Sequence, residues 1–182
     1  MNRPLRINVV GTSGTGKSTF ARKLSDQLGY PYIEMDKLFW GLNWHWPDDE
    51  VFFERLRKEI STDKWVLDGN YTRTLPIKWD RVEMVIWLDY SFSLTLWQAV
   101  QRAFLRALSG KEIWEGTGNK ESFRKSFFSK DSIILWTIKT HHSVRSKYES
   151  YLADPRYSHI KFVRLKSRKD AQVFLTQFDD TE

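Results

Sequence analysis

The chain has 182 residues, a formal net charge of +6, 41% apolar and 15% aromatic residues, nine tryptophans and no cysteine. That length suits one domain with a full core, the missing thiols exclude disulfides and thiolate metal sites and agree with a reducing cytoplasm, and no apolar run approaches the ~18 residues that span a bilayer. The basic stretch Met1 to Arg6 leads straight into an apolar run with no signal-peptide core, and the excess of Lys and Arg suits a polyanionic partner, either a nucleoside triphosphate or nucleic acid.

Ile7-Asn8-Val9-Val10 predicts a buried first strand, and Phe20, Ala21, Leu24 and Leu28 predict a helix that Gly29 ends. Tyr32 to Met35 reads as a second strand, opened by Pro31 and closed by Asp36. Trp40, Trp44 and Trp46 follow, either as an aromatic wall for a ligand or as a lid of rings over the core. Asp48-Asp49-Glu50 opens a helix with Val51, Phe53, Leu56 and Ile60 at helical spacing. Trp65-Val66-Leu67 is a third strand ending at Asp68-Gly69, and Val82 to Leu88 a fourth. A helix from about Phe92 to Leu108 is capped by Ser91. The stretch 109–129 is polar, basic and without strong period, the one place for a small lid. Asp131 to Leu152 is helical again, with His141 and His142 expected at the surface. Ile160 to Leu165 is a fifth strand, and Ser167-Arg168-Lys169-Asp170 opens a last helix whose buried face is Val173, Phe174 and Phe178. Alternating strands and helices predict a single α/β domain over 1–182, a parallel sheet with helices on both faces.

Between the first strand and the first helix stands GTSGTGKST, residues 11–19, which fits the phosphate-binding pattern G-x-x-x-x-G-K-S/T. Gly11, Gly14 and Gly16 let the backbone turn and approach an anion, because they lack a Cβ. With Thr15 and Thr19 they form a run whose N–H groups make a nest at a helix N-terminus. Lys17 can reach the β- and γ-phosphates, and the Ser18 hydroxyl can ligate Mg²⁺.

Other residues can carry chemistry beside it. Asp68, at a strand end, can hold Mg²⁺ or cap a turn. Asp36 can take a proton from an acceptor hydroxyl, organise Mg²⁺, or cap the segment that follows. Arg73 can clamp an acceptor anion. Arg102 and Arg106 share a helix face, and with Arg124, Lys125, Lys139 and Arg145 they supply cations for a closing lid. Asn119-Lys120-Glu121-Ser122 lacks the acid of a guanine-reading motif, and Leu108-Ser109-Gly110-Lys111 is a broken transporter-ATPase signature.

On GTSGTGKST, Glu34 to Trp40, Leu67 to Thr74 and Val163 to Lys169, the chain resembles the small P-loop kinases of the adenylate kinase and shikimate kinase group. More narrowly it resembles the bacterial "DNA topology modulation" proteins. The resemblance implies a three-layer P-loop fold with strand order 2-3-1-4-5, ATP with Mg²⁺ at the loop, and a lid near 109–129. It also implies that Ser167 and Arg168 lie near the adenine and that Arg102 and Arg106 match lid-entering arginines. Where adenylate kinases read D-G-F-P-R, Arg73 lies one position further on, and no Thr-Gly pair follows Asp36. The resemblance therefore implies kinase chemistry without implying AMP. The expected activity is transfer of the ATP γ-phosphate to a small-molecule acceptor. The alternative is an ATP-binding regulatory or DNA-associated protein with weak NTPase activity.

Overall fold

The computed structural model describes residues 4–114, 116–120 and 132–178. Its centre is a five-stranded parallel sheet in the order β2-β3-β1-β4-β5, from β1 (Arg6–Gly11), β2 (Tyr32–Glu34), β3 (Trp65–Asp68), β4 (Met84–Leu88) and β5 (Lys161–Leu165). Helices α1 (Lys17–Leu28), α2 (Met35–Phe39), α3 (Asp49–Glu59), α4 (Leu75–Lys78), α5 (Phe92–Ser109), α6 (Ile133–Ala153) and α7 (Arg168–Thr176) connect and flank it.

Strand alternation divides the core in two. Ile7, Val9, Val66, Ile86 and Leu88 face α1 and α7, meeting Phe20, Leu24, Phe174 and Leu175. Val10, Trp65, Leu67, Val85 and Trp87 face the other way, meeting Phe52, Leu56, Trp79 and Tyr148. Successive side chains on a strand point to opposite faces, so the continuous apolar runs are what a sheet covered on both sides requires.

Local signals end several helices as expected. Gly29 caps α1, the Ser91 hydroxyl accepts from Leu94 N, and the Ser167 hydroxyl accepts from Asp170 N. Asp170 reaches back in turn, accepting from Lys166 N, one residue before the cap, at 2.9 Å. Two predicted faces rotate, however. In α3 the buried residues are Phe52 and Leu56, while Val51 is exposed. In α7, Ala171, Phe174 and Leu175 are buried and Val173 is exposed. Each stretch offers adjacent apolar residues, and the position of the sheet decides which one faces inward.

His141 is the clearest correction. It is buried, not at the surface; its Nε2 lies 3.2 Å from the Tyr90 carbonyl and its ring meets Phe92 edge-on. Its face of α6 turns inward, whereas His142 points out. The tryptophans also divide. Trp65, Trp79 and Trp87 are core, while Trp46, Trp97 and Trp136 are exposed.

Candidate active site

The strand register brings the chemistry to one edge. Gly11 lies level with Leu88, and Leu88 with Leu165; Val9 lies level with Asp68, and Asp68 with Glu34. The phosphate loop, Asp68 and the start of α7 thus share the C-terminal end of the sheet, where open α/β sheets bind ligands.

The loop turns from β1 into α1 under tight packing. Gly14 has φ +94°, and a Cβ there would lie 2.8 Å from the Thr95 carbonyl oxygen and 2.9 Å from Ala99 Cβ. Only glycine lets α5 seat against the loop. Thr15 donates from both its N–H and its hydroxyl to the Thr12 carbonyl, at 3.2 and 2.9 Å. The Lys17 ammonium folds back over the loop, at a long 3.5 Å from the Thr12 carbonyl. The first N–H groups of α1 have no intrahelical acceptor and carry the positive end of its dipole. The result is a cradle for an anion.

Four charges converge there. Burial pushes the Lys17 pKa down, the negative charges of Asp68 and Asp36 oppose that shift, and the positive charge of Arg102 adds to it. Burial pushes the Asp68 carboxyl up, opposed first by Lys17, then by a hydrogen bond from Ser18. Tyr32 donates to Asp68 Oδ2 at 3.0 Å, while buried Oδ1 has no hydrogen-bond partner among the described residues. Hard oxygen ligands suit Mg²⁺, which commonly takes one or two carboxylates and completes its shell with phosphate and water. Asp68 and Ser18 fit that ion. Among the described residues no group of three or more His, Cys, Asp or Glu forms a metal site of its own.

Asp36 is neither the end of β2 nor an N-cap. β2 stops at Glu34, which occupies the N-cap position, and Asp36 lies in the first turn of α2. It is exposed toward the crevice, and Tyr71 donates its hydroxyl to Oδ1 at 2.7 Å. Burial and the Asp36 charge both push the Tyr71 pKa up, so the phenol stays protonated and keeps the proton it donates to the carboxylate. Tyr71 has φ +21°, an uncommon value for a bulky residue.

The predicted arginines separate. Arg102 reaches the loop, donating to Ser13 Oγ at 3.1 Å, and Arg106 lies half-buried one turn further along α5. Arg73 instead pairs with Asp49 at 3.1 Å and lies over the rings of Phe39 and Phe52. It borders an open groove of about 670 Å³ running past His45, Trp46 and Asp48, which Lys17, Asp36 and Asp68 do not line. Arg145 pairs with Asp89, at 2.8 Å, just past the end of β4 on the same edge of the sheet as the phosphate loop. Arg124 and Lys125 lie outside the described residues. Ser167 and Arg168 stand at the start of α7, on the loop edge of β5.

The described part of the predicted lid has order of its own. Glu112 and Lys120 bridge as a short antiparallel pair. The segment between them is fastened to residues 41–44. Buried Asn119 accepts from Trp44 N at 2.5 Å and donates to the Gly41 carbonyl at 2.9 Å, and Asn43 N donates to the Thr117 carbonyl at 2.8 Å. Trp114 donates to Glu34 Oε1 at 3.2 Å and meets Trp44 edge-on. Trp40, Trp44 and Trp46 therefore form one edge-to-face cluster, with Trp40 packed on the core and Trp46 lining the groove.

Sequence reasoning assigned no role to Tyr32, Asn70, Tyr71 or Lys78, and it set Asn119 aside. Each acts on a partner distant in the chain or in a turn without regular period.

A five-stranded parallel sheet in this order, with a P-loop after β1 and an acid at the end of β3, is the P-loop NTPase fold. Among solved structures the chain is similar to a gluconokinase from Sinorhizobium meliloti 1021, with a TM-score of 0.52 at 17% identity, over 99% of this chain and 96% of that one. No protein-family model matches the chain, and no curated protein matches it. The narrower likeness to the topology-modulation proteins rests on the sequence motifs alone. No helix among the described residues is long and apolar enough to cross a membrane.

Proposed function

We propose that the protein is an ATP-dependent phosphotransferase acting on a small-molecule hydroxyl or phosphate acceptor. The observation that carries this reading is the convergence of Asp68, Asp36 and Arg102 on Lys17 at the mouth of the phosphate loop. That is the set of charges phosphoryl transfer needs: cations for the migrating group, an acid for the metal and an acid for the acceptor.

The loop N–H groups and Lys17 hold the β- and γ-phosphates. Ser18 and Asp68 hold Mg²⁺, which when bound neutralises charge shared between those phosphates. Asp36, oriented by Tyr71, accepts the proton of the attacking acceptor oxygen. That oxygen forms the new bond to the γ-phosphorus while the bond to the bridging oxygen breaks, and ADP leaves with the electron pair. Arg102 offsets charge on the transferring group from the α5 side. The similar gluconokinase adds support for a kinase, and the acceptor here is open to experiment.

The test is ATP consumption with Mg²⁺ across nucleoside monophosphates, nucleosides and hydroxylated metabolites, with wild type and Lys17→Ala in parallel. ADP formation stimulated by one acceptor and lost in the variant is expected. Near-normal turnover by Lys17→Ala would sink the assignment.

A further inference from the structure

Lys78 ends the one-turn helix α4 and is fully buried. Among the described residues no carboxylate pairs with it, and burial alone lowers its pKa, to about 7. Its ammonium donates to the carbonyl of Gly69, at 3.1 Å, and to that of Asn70. These two residues follow Asp68 directly. Their carbonyls turn into the core at the end of β3, where a buried acceptor must find a donor. Asn8 supplies one more, donating to the Gly69 carbonyl at 3.2 Å.

The consequence of fixing Asn70 appears at its other end. Its side-chain amide grips both backbone polar atoms of Gly11: Nδ2 donates to the Gly11 carbonyl at 2.8 Å, and Oδ1 accepts from Gly11 N at 3.0 Å. Tyr148 donates to the same Oδ1 at 3.2 Å. On its far side Gly11 has no slack, since a Cβ there would lie 2.6 Å from the Leu88 carbonyl oxygen. Gly11 is the first residue of the phosphate loop. With its N–H taken by Asn70, it shapes the loop rather than donating to a ligand.

We propose that Lys78 and Asn70 are positioning residues for the nucleotide, a buried relay that runs from α4 through the exit of β3 and sets where the phosphate loop begins. The inference rests on the kinase reading above. An amide is the side chain that can donate and accept across one backbone unit at once. Aspartate in its place has no Nδ2 donor for the Gly11 carbonyl. The ammonium is kept despite the cost of burying a charge, because an apolar residue would leave two carbonyls with one donor fewer. A loop displaced by a fraction of an ångström presents its N–H groups to the phosphates at the wrong distance.

The experiment is equilibrium titration of Mg·ADP into the full chain, well below the melting temperature, for wild type, Lys17→Ala, Asn70→Ala, Lys78→Met and the Asn70→Ala/Lys78→Met double variant. Asn70→Ala is expected to weaken ADP binding about tenfold while remaining folded by circular dichroism. Lys78→Met is expected to weaken it similarly. In the Asn70→Ala background, Lys78→Met should then change affinity less than about twofold, because its route to the loop is already cut. A purely structural role would lower the melting temperature and leave the affinity of the folded protein unchanged. If Lys78→Met does not fold, Asn70→Ala decides, since it leaves no buried charge unpaired. Wild type binding ADP no better than Lys17→Ala overturns the kinase reading and the relay together. Wild-type-like binding by folded Asn70→Ala, or full additivity in the double variant, overturns the relay alone.

Discussion

Tyr71 donates its hydroxyl to Asp36 Oδ1 at 2.7 Å across 35 residues of chain. Its ring is wedged between Phe39 and Phe52, with centroids at 5.2 and 5.1 Å. The phenol engages one oxygen of an exposed carboxylate and restrains its rotation. We predict that Tyr71→Phe lowers kcat about tenfold with nucleotide affinity unchanged, and that Asp36→Asn lowers it by about 10² or more. Steady-state kinetics with the acceptor found in the screen, beside ADP titration, would check both. Equal loss of kcat and of ADP affinity would contradict an acceptor-side role.

Gly14 and Gly110 make a matched pair. Both have positive φ, +94° and +58°, but a Cβ at Gly14 meets α5 while one at Gly110 meets nothing within 4 Å among the described residues. Gly14→Ala is expected to abolish nucleotide binding and to cost more than about 2 kcal/mol, as overpacking adds to backbone strain. Gly110→Ala should cost about 1 kcal/mol and leave binding intact. Chemical denaturation with ADP titration separates them; equal behaviour would mean that α5 does not press on the loop.

Asn43 and Trp44 both have positive φ, +52° and +62°, a strained value for tryptophan. Asn119 and Thr117 hold that bend through hydrogen bonds to the Trp44 and Asn43 amides. Asn119→Ala should release the bend, costing about 1 kcal/mol because the half-buried Trp44 N–H and Gly41 carbonyl lose their partners. Hydrogen exchange at the Trp44 amide would report it directly. Unchanged protection there would show that the bend holds itself.

Stability should rise with pH above neutrality. The buried Lys78 has its pKa lowered to about 7, against 10.5 when exposed. Between those values the unfolded chain binds the extra proton, so raising pH favours the folded state, by at most ~1.4 kcal/mol per pH unit from this group. Lys17 shifts in the same direction. Above about pH 10 the trend reverses, because Tyr32, Tyr71 and Tyr148 ionise in the unfolded chain while burial keeps them neutral in the folded one. Urea midpoints from pH 7 to 10 for wild type and Lys78→Met measure the lysine's share; parallel curves would exclude it.

The basic charge reads differently once the partners are seen. Arg164 and Arg145 both close on Asp89, and Arg164 also reaches Glu149 and lies over Trp87. The charge that suggested nucleic acid is thus partly internal, spent on joining β4, β5 and α6.

What the sequence determined by itself was local. The apolar runs of β1, β3 and β4, the glycine after α1, and Ser91 and Ser167 ahead of their helices are all signals written within a few residues of the element they define. The phosphate loop was legible for the same reason, since its glycines, Lys17 and Ser18 lie in one continuous run. Asp68 was legible as the acid at a strand end. Tertiary structure alone decided which of Val51 and Phe52 faces inward, that His141 is buried, and that Arg73 pairs with Asp49. It alone joined Tyr71 to Asp36, Asn70 to Gly11 and Asn119 to Trp44. Those contacts are single hydrogen bonds or small sets of them between segments 35 to 75 residues apart. Spacing along the chain carries no record of such a contact, because the distance between its ends is fixed by how helices seat on the sheet.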